Sequence, residues 1–203
     1  MTAAAVVRGA SRPPDTTYGI CSDLRGGEAQ AAATTLWDHL ERRYGLAEAR
    51  AAIRPHVSYL VGEVTGGPVQ VEALSTRVAA AASGIAPVEI EIGGVGVFDG
   101  PAPALYLRVV RSEPLLRTHA AILGATRDAF TSIWPYYLPD AWTPHVTLAL
   151  RDLAPDCVAD VRADLDARAR ERGTRLEAVD FVHVVFPRHV YLGRCMFGGE
   201  AAR

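Results

Sequence analysis

The apolar residues of this 203-residue chain recur with two different periods. Four stretches carry an apolar residue at every third or fourth position, which is the spacing of an amphipathic helix. These helices are predicted at 28–44, 71–82, 114–130 and 155–172. Seven shorter stretches, rich in β-branched and aromatic residues, predict strands. The strands are predicted at 17–23, 55–64, 88–98, 104–110, 142–150, 176–186 and 190–197.

The predicted elements nearly repeat along the chain. The first half runs strand, helix, strand, helix, strand, and the second half follows the same order with one more strand at its end. Helices grouped with mixed or antiparallel strands are typical of α+β proteins rather than of a doubly wound parallel sheet. We therefore predict one α+β domain over residues 16–199, made of two packed lobes with pseudo-repeats at about 16–100 and 101–199. Residues 1–15, rich in Ala and Pro, predict a disordered leader and not a signal peptide.

The composition limits the class of protein. No segment approaches the roughly 20 consecutive apolar residues of a membrane-spanning helix, so we expect a soluble, cytoplasmic protein without membrane contact. We also expect a monomer. The formal net charge is −2, and all 21 basic residues are arginine. A near-neutral chain lacks the basic surface of a protein that follows an extended duplex. If the substrate is nucleic, a nucleotide or a strand end fits better.

Two short segments carry the same polar pattern in the two halves. Pro55-His56-Val57-Ser58 opens one predicted strand, and Pro144-His145-Val146-Thr147 opens another. Residues two apart in a strand project from the same face, so each histidine lies beside its hydroxyl residue. If the halves pack about a pseudo-twofold axis, the two polar faces meet across a groove. Chance accounts poorly for two segments that agree in position and in their Pro and Val residues.

These four polar groups suit an in-line displacement at phosphorus. One neutral imidazole can take a proton from the attacking oxygen, and an opposite imidazolium can give one to the leaving oxygen. Ser58 and Thr147 can donate hydrogen bonds to the non-bridging phosphate oxygens. The competing interpretations are core histidines bonded within their sheets, a zinc site and a serine nucleophile. A zinc site lacks a nearby third ligand, and the serine lacks a Gly-x-Ser-x-Gly turn.

The paired His-x-[Ser/Thr] strands, their separation and the order of elements resemble the 2H phosphoesterases. This family includes 2'-5' RNA ligase-like proteins and cyclic nucleotide phosphodiesterases. The resemblance covers nearly all of residues 17–197 and implies a bilobal duplicated fold, in which two mostly antiparallel sheets flanked by helices surround a central cleft. It implies that His56 and His145 are catalytic and that Ser58 and Thr147 bind phosphate, without a metal or other cofactor.

The same resemblance implies an activity. We expect hydrolysis of a 2',3'-cyclic phosphate, or of a related 2'-linked phosphodiester, on a nucleotide or RNA end. Reversible 2'-5' RNA ligation is the nearest alternative, because the same acid/base pair serves transesterification in either direction. A module that binds a cyclic or terminal phosphate without turning it over is the alternative from another class.

The chain departs from the family pattern after the second motif. Ligase-like members often continue as His-x-Thr-Leu-Ala-Arg, whereas here Leu150 occupies the position of that arginine. Arg151 follows, and by strand alternation it would rejoin the catalytic face. Further candidates for secondary substrate contacts are Arg54, Arg188 and Tyr18. Other residues that could stack on a base or line the cleft are Tyr59, Trp142, Phe186, His183 and His189.

Overall fold

Two antiparallel sheets flanked by helices make up the fold, which a computed structural model describes for residues 16–185 and 188–199. The leader predicted at residues 1–15 lies outside the described residues. The strands are β1 (Thr17–Asp23), β2 (His56–Glu63), β3 (Val88–Phe98), β4 (Ala104–Val109), β5 (Ser132–Ile133), β6 (His145–Leu150), β7 (Arg172–Leu176), β8 (Ala178–His183) and β9 (Val190–Met196). The helices are α1 (Glu28–Tyr44), α2 (Glu48–Ala52), α3 (Pro68–Ser83), α4 (Glu113–Thr126) and α5 (Val158–Arg168). The predicted α+β class with two antiparallel sheets is confirmed.

The first sheet has five strands in the order β5-β2-β1-β8-β9. In the ladder between β1 and β2, Asp23 pairs with His56 and Cys21 pairs with Ser58. Tyr59 is passed over in this register and forms a bulge directly after the first motif. Because directly paired residues project from the same face, Asp23 lies on the same side of the sheet as His56.

The second sheet has four strands in the order β6-β4-β3-β7. The register of β3 against β4 shifts between Ile92 and Val95, where Gly94 has a φ of 67°. Beyond this bulge, Tyr106 pairs with Gly96 on one side and with Thr147 on the other. A Cβ atom on Gly96 would lie 2.3 Å from the Tyr106 ring, so glycine at this position lets the ring cross the strand.

Helices cover the two sheets and close one continuous core. Helices α1 and α5 lie against the second sheet, whereas α3 packs on β8 and β9 of the first. The buried apolar side chains of both sheets form a single cluster. Its fully buried members include Ile20, Leu60, Leu105, Leu115 and Leu148.

Several segments differ from the predicted elements. Helix α5 ends at Arg168, and the residues after it form β7 at Arg172–Leu176 instead of a further helical turn. β7 is an edge strand in which exposed residues alternate with less exposed ones, so one of its faces is polar. In a sequence, such a polar face resembles the polar side of a helix. The strand predicted at 176–186 is thereby divided, since β7 joins the second sheet and β8 joins the first. The short helix α2 was not predicted.

Each sheet combines strands from both predicted repeats. The first sheet joins β1 and β2 to β5, β8 and β9, and the second joins β3 to β4, β6 and β7. The turn near Pro101 connects β3 to β4, which pair within one sheet. The pseudo-repeats at about 16–100 and 101–199 therefore do not coincide with the sheets. Among the described helices, none is both long and apolar enough to cross a bilayer.

Candidate active site

The two His-x-hydroxyl segments lie side by side where the two sheets meet. His56 and Ser58 belong to β2, His145 and Thr147 belong to β6, and these two strands are neighbours. β6 is an edge strand of its sheet. The short strand β5 pairs only with Gly62 and Glu63 of β2 and leaves the motif end of β2 uncovered on that side. His56 is buried, and the other three residues are half-buried.

Both imidazoles are held in the same way by the backbone. His56 Nδ1 lies 2.8 Å from the carbonyl oxygen of Arg54, and His145 Nδ1 lies 2.7 Å from that of Thr143. A carbonyl oxygen can only accept, so Nδ1 carries the proton in each ring. The neutral tautomer that results has an available lone pair on Nε2. Each motif therefore orients its histidine through the residue two positions earlier.

The backbone of each hydroxyl residue is also fixed by a tryptophan. The indole N–H of Trp142 donates to the carbonyl of Ser58 at 2.9 Å, and that of Trp37 donates to the carbonyl of Thr147 at 3.2 Å. Both indoles are buried. Trp142 precedes the second motif and binds the first, so this bond ties the two sheets together at the site. A buried indole N–H requires such a partner.

The Ser58 hydroxyl joins the first histidine to a buried tyrosine. Ser58 Oγ lies 2.9 Å from His56 Nε2. Because Nδ1 already carries the ring proton, the hydroxyl donates to Nε2. Burial raises the pKa of Tyr137, and a hydrogen bond with the Ser58 side chain opposes that shift. The hydroxyl is therefore positioned against the imidazole nitrogen that faces away from the backbone.

Burial lowers the pKa of both motif histidines below the ordinary value of 6.5. For His56, the bond to the Arg54 carbonyl and the carboxylates of Asp23 and Asp180 oppose the shift. For His145, desolvation and the charge of His56 lower the pKa to about 4, against the bond to the Thr143 carbonyl. Both rings are therefore mainly neutral at pH 7. An anion bound between them would favour protonation, because opposite charge stabilises imidazolium.

Two aromatic rings enclose His145. Phe98 and Tyr106 stack with centroids 4.2 Å apart, and both meet the His145 ring edge-on, at 4.9 and 5.3 Å. These rings exclude water from one side of the imidazole, which accounts for its desolvation. Sequence patterns did not single out either ring, because their approach depends on the bulge in β3 and on Gly96.

His189, from the segment before β9, and Arg151, directly after β6, also lie near the two histidines. Burial lowers the pKa of His189 to about 4, and positive charge on His56 and Arg151 adds to the shift, so the three groups are close. The backbone N–H of His189 donates to the carbonyl of Ala52 at 2.9 Å. The spacing of His189 in the sequence gave no signal for this placement, since the segment returns to the site only through the sheet topology.

Arg151 reaches this position by a different route from the predicted one. Its φ is 67°, so the strand alternation of β6 ends at Leu150. Arg151 Nε lies 3.1 Å from Glu48 Oε2 of helix α2. Arg151 therefore does not rejoin the catalytic face by strand alternation as predicted, although its guanidinium still lies near His189.

The remaining predicted contacts divide into three groups. Arg54 is about half exposed, and its Nη1 lies 3.4 Å from Asp23 Oδ2 on the His56 face of the first sheet. Arg188 is exposed. Tyr18 does not join the site, because it lies on the opposite face, where its ring stacks on those of Phe181 and His183 at 5.6 and 4.7 Å.

Two of the three further aromatic candidates do not present a face to the cleft. Tyr59 and Trp142 are 0% and 1% exposed, which identifies them as core residues. Phe186 lies outside the described residues. Within residues 16–185 and 188–199, no three His, Cys, Asp or Glu side chains are grouped so that they could hold a metal ion.

Solved structures share this fold at low sequence identity. The protein TT0787 of Thermus thermophilus is 17% identical, with a TM-score of 0.59, and the match covers 91% of this chain and 99% of that chain. LigT of E. coli complexed with 3'-AMP is 14% identical, with a TM-score of 0.56 and the same coverage of 91% and 99%. Usb1 of Kluyveromyces marxianus with uridine monophosphate is 12% identical, with a TM-score of 0.50 and coverage of 88% and 98%. None of the curated proteins matches the chain in sequence.

The sequence also matches a protein family directly. Residues 28–184 match the 2'-5' RNA ligase superfamily, and this range includes both motif strands. The matched range is more than half of the chain, and it is the family that the paired motifs resemble. The chain therefore belongs to the 2'-5' RNA ligase superfamily of 2H phosphoesterases.

Proposed function

We propose that this protein is a phosphodiesterase that hydrolyses a 2',3'-cyclic phosphate on a nucleotide or RNA end, without a metal or other cofactor. The observation that carries the proposal is that His56 and His145 are held by equivalent hydrogen bonds to the backbone. Each ring donates Nδ1–H to a backbone carbonyl and directs the opposite nitrogen away from the backbone. Two core histidines with unrelated structural tasks would have no reason to share this arrangement on adjoining strands.

The chemistry uses one histidine as base and the other as acid. The basic imidazole takes a proton from water through its Nε2 lone pair while the water oxygen bonds to phosphorus. One of the two ribose oxygen–phosphorus bonds breaks, and the imidazolium of the other histidine protonates the departing ribose oxygen. The product is a phosphomonoester beside a ribose hydroxyl. Proton exchange with solvent then returns both imidazoles to their starting protonation states.

The neighbouring hydroxyl groups support this displacement. Ser58 and Thr147 flank the histidines and can donate to the non-bridging oxygens, where negative charge is concentrated. Ser58 Oγ already bonds to His56 Nε2, so a bound phosphate would replace the imidazole as its acceptor. Arg151 and His189 supply positive or titratable groups close to His56.

The relatives and the charge of the chain support a nucleotide or strand end as substrate. Structures of LigT and Usb1 hold 3'-AMP and uridine monophosphate respectively. The net charge of −2 remains unfavourable for wrapping a long polyanion.

The proposal is tested by incubating the purified protein with adenosine 2',3'-cyclic phosphate in excess EDTA. We expect conversion to a single adenosine phosphomonoester at the rate seen without EDTA. A parallel incubation with RNA fragments carrying 2',3'-cyclic phosphate and 5'-hydroxyl ends tests ligation, and 2'-5'-linked product with no hydrolysis would favour the ligase alternative. Binding of the cyclic nucleotide without any product, or loss of activity in EDTA, would contradict the proposal.

A further inference from the structure

Two buried carboxylates lie beside His56 and have no part in the reaction proposed above. The side chains of Asp23 and Asp180 are each 1% exposed. Asp23 pairs directly with His56 between β1 and β2, and Asp180 pairs with Cys21, so both carboxylates lie on the His56 face of the first sheet. The backbone N–H of Asp23 donates to Asp180 Oδ2 at 3.2 Å, which joins the two into one cluster.

Three arginines converge on this carboxylate pair. Arg194 Nη1 bonds to both oxygens of Asp180, at 2.8 and 3.0 Å. Arg25 Nε and Arg54 Nη1 each lie 3.4 Å from Asp23 Oδ2. Arg25 Nη2 also lies 4.0 Å from Asp180 Oδ1. The cluster therefore places three guanidinium groups around two carboxylates, which leaves one positive charge in excess.

The cluster is built to hold two of these guanidinium groups at the surface. The side chains of Arg25 and Arg54 are 47% and 52% exposed, whereas that of Arg194 is 26% exposed. Tyr191 donates its hydroxyl to Asp23 Oδ1 at 3.0 Å, and its ring lies 4.3 Å beneath the Arg54 guanidinium. Each guanidinium has five N–H donors, and the carboxylates use a minority of them. Donors therefore remain on Arg25 and Arg54 for a second anion.

We propose that Arg25 and Arg54 bind a second phosphate group of the substrate, one nucleotide unit away from the phosphate held between His56 and His145. This inference rests on the proposed function, and it specifies the substrate further. Directly paired residues have Cα atoms about 5 Å apart, so arginines anchored on Asp23 lie within one nucleotide of His56. The group that reaches them is the 5'-phosphate of the nucleotide that carries the cyclic phosphate. The protein then favours 5'-phosphorylated nucleotides and RNA ends over bare nucleosides with a cyclic phosphate.

The test compares adenosine 2',3'-cyclic phosphate with its 5'-phosphorylated form at low ionic strength. We expect kcat/KM to be about tenfold higher for the 5'-phosphorylated form, which corresponds to roughly 1.4 kcal/mol from charge-assisted contacts. Arg25→Ala and Arg54→Ala should each lower this ratio towards one, and added salt should lower it in the wild type. Arg117→Ala removes an ion-paired arginine of helix α4 and should keep the wild-type ratio.

The ratio of the two kcat/KM values distinguishes a failure of the second phosphate site from a failure of the proposed hydrolysis. A loss common to both substrates, such as partial misfolding or a displaced His56, cancels in the ratio. Equal kcat/KM for the two substrates in the wild type, or a wild-type ratio in both arginine variants, would overturn the second phosphate site and leave the proposed activity intact. Hydrolysis of neither substrate would overturn the proposed function and this inference with it.

Discussion

His56 and His145 are each fixed through Nδ1, and this bond determines which nitrogen is available for proton transfer. The acceptor is the carbonyl of the residue before the motif proline, Arg54 in one strand and Thr143 in the other. The two rings differ in surroundings, because His56 has the carboxylates of Asp23 and Asp180 nearby whereas His145 lies against Phe98 and Tyr106. The same type of backbone hydrogen bond therefore orients two histidines that lie in different electrostatic environments.

These surroundings predict a pH dependence of stability. The pKa values of His145 and His189 fall to about 4 in the folded protein, and that of His56 is also lowered. Unfolded histidines take up protons as the pH falls through about 6.5, while the folded rings stay neutral. The free energy of unfolding should therefore decrease between about pH 6.5 and pH 4, by up to about 1.4 kcal/mol per pH unit for each of His145 and His189, and His56 should contribute in the same direction.

Urea unfolding at pH 7.5, 6.5, 5.5 and 4.5 measures this dependence. The variant His145→Gln should lose less stability than the wild type over this interval, since glutamine cannot take up a proton. Equal losses in the two proteins would show that His145 is not desolvated as the fold indicates.

The strands β2 and β6 hold the motif residues, and two tryptophans hold those strands. The Trp142 ring stacks on His119 with centroids 4.0 Å apart and is buried beside Tyr59. Trp142 lies in the segment before β6, and its indole N–H donates to the carbonyl of Ser58 in β2. This bond fixes the bulged part of β2, where the ladder with β1 changes register.

Replacing Trp142 by Phe tests this role because it retains an aromatic ring and removes the N–H donor. The buried Ser58 carbonyl then lacks that partner, which should lower the free energy of unfolding by about 1 to 2 kcal/mol. Because the motif strand is loosened at Ser58, kcat should fall by more than KM rises. Trp37→Phe is the matched change at Thr147, and unchanged kcat in both variants would contradict a positioning role for the indoles.

Periodicity predicted most of the strands, because most of them bury at least one face in the shared core. The motif pair was predictable since i and i+2 geometry is local and both segments repeat the same residues. The boundary between α5 and β7 was not predictable, because an edge strand with a polar face lacks the apolar pattern of a buried strand. The sequence named His189 as a candidate for the cleft without a spacing that placed it there. The rings of Phe98 and Tyr106 and the Asp23–Asp180 pair reach the site through sheet order, bulges and tertiary contacts that a single sequence does not reveal.

At the scale of the whole molecule, the candidate site exists only where the two sheets meet. One histidine belongs to each sheet, and each sheet takes strands from both halves of the chain. The site therefore depends on the complete fold, since neither half alone contains the strands of one sheet. A single core that extends through both sheets keeps the two motif strands in contact.

Turnover by the His145→Gln variant is the direct test of acid–base catalysis by the paired histidines. Hydrolysis of adenosine 2',3'-cyclic phosphate is measured beside wild type and His39→Gln, in which the altered histidine contacts Asp164 at 2.6 Å and lies outside the motif strands. If His145 transfers a proton in the reaction, kcat of His145→Gln should fall by about 10² to 10⁴, with 3'-AMP binding changed only severalfold and the His39→Gln variant close to wild type. A His145→Gln protein that turns over the cyclic nucleotide at the wild-type rate would exclude His145 as an acid–base catalyst.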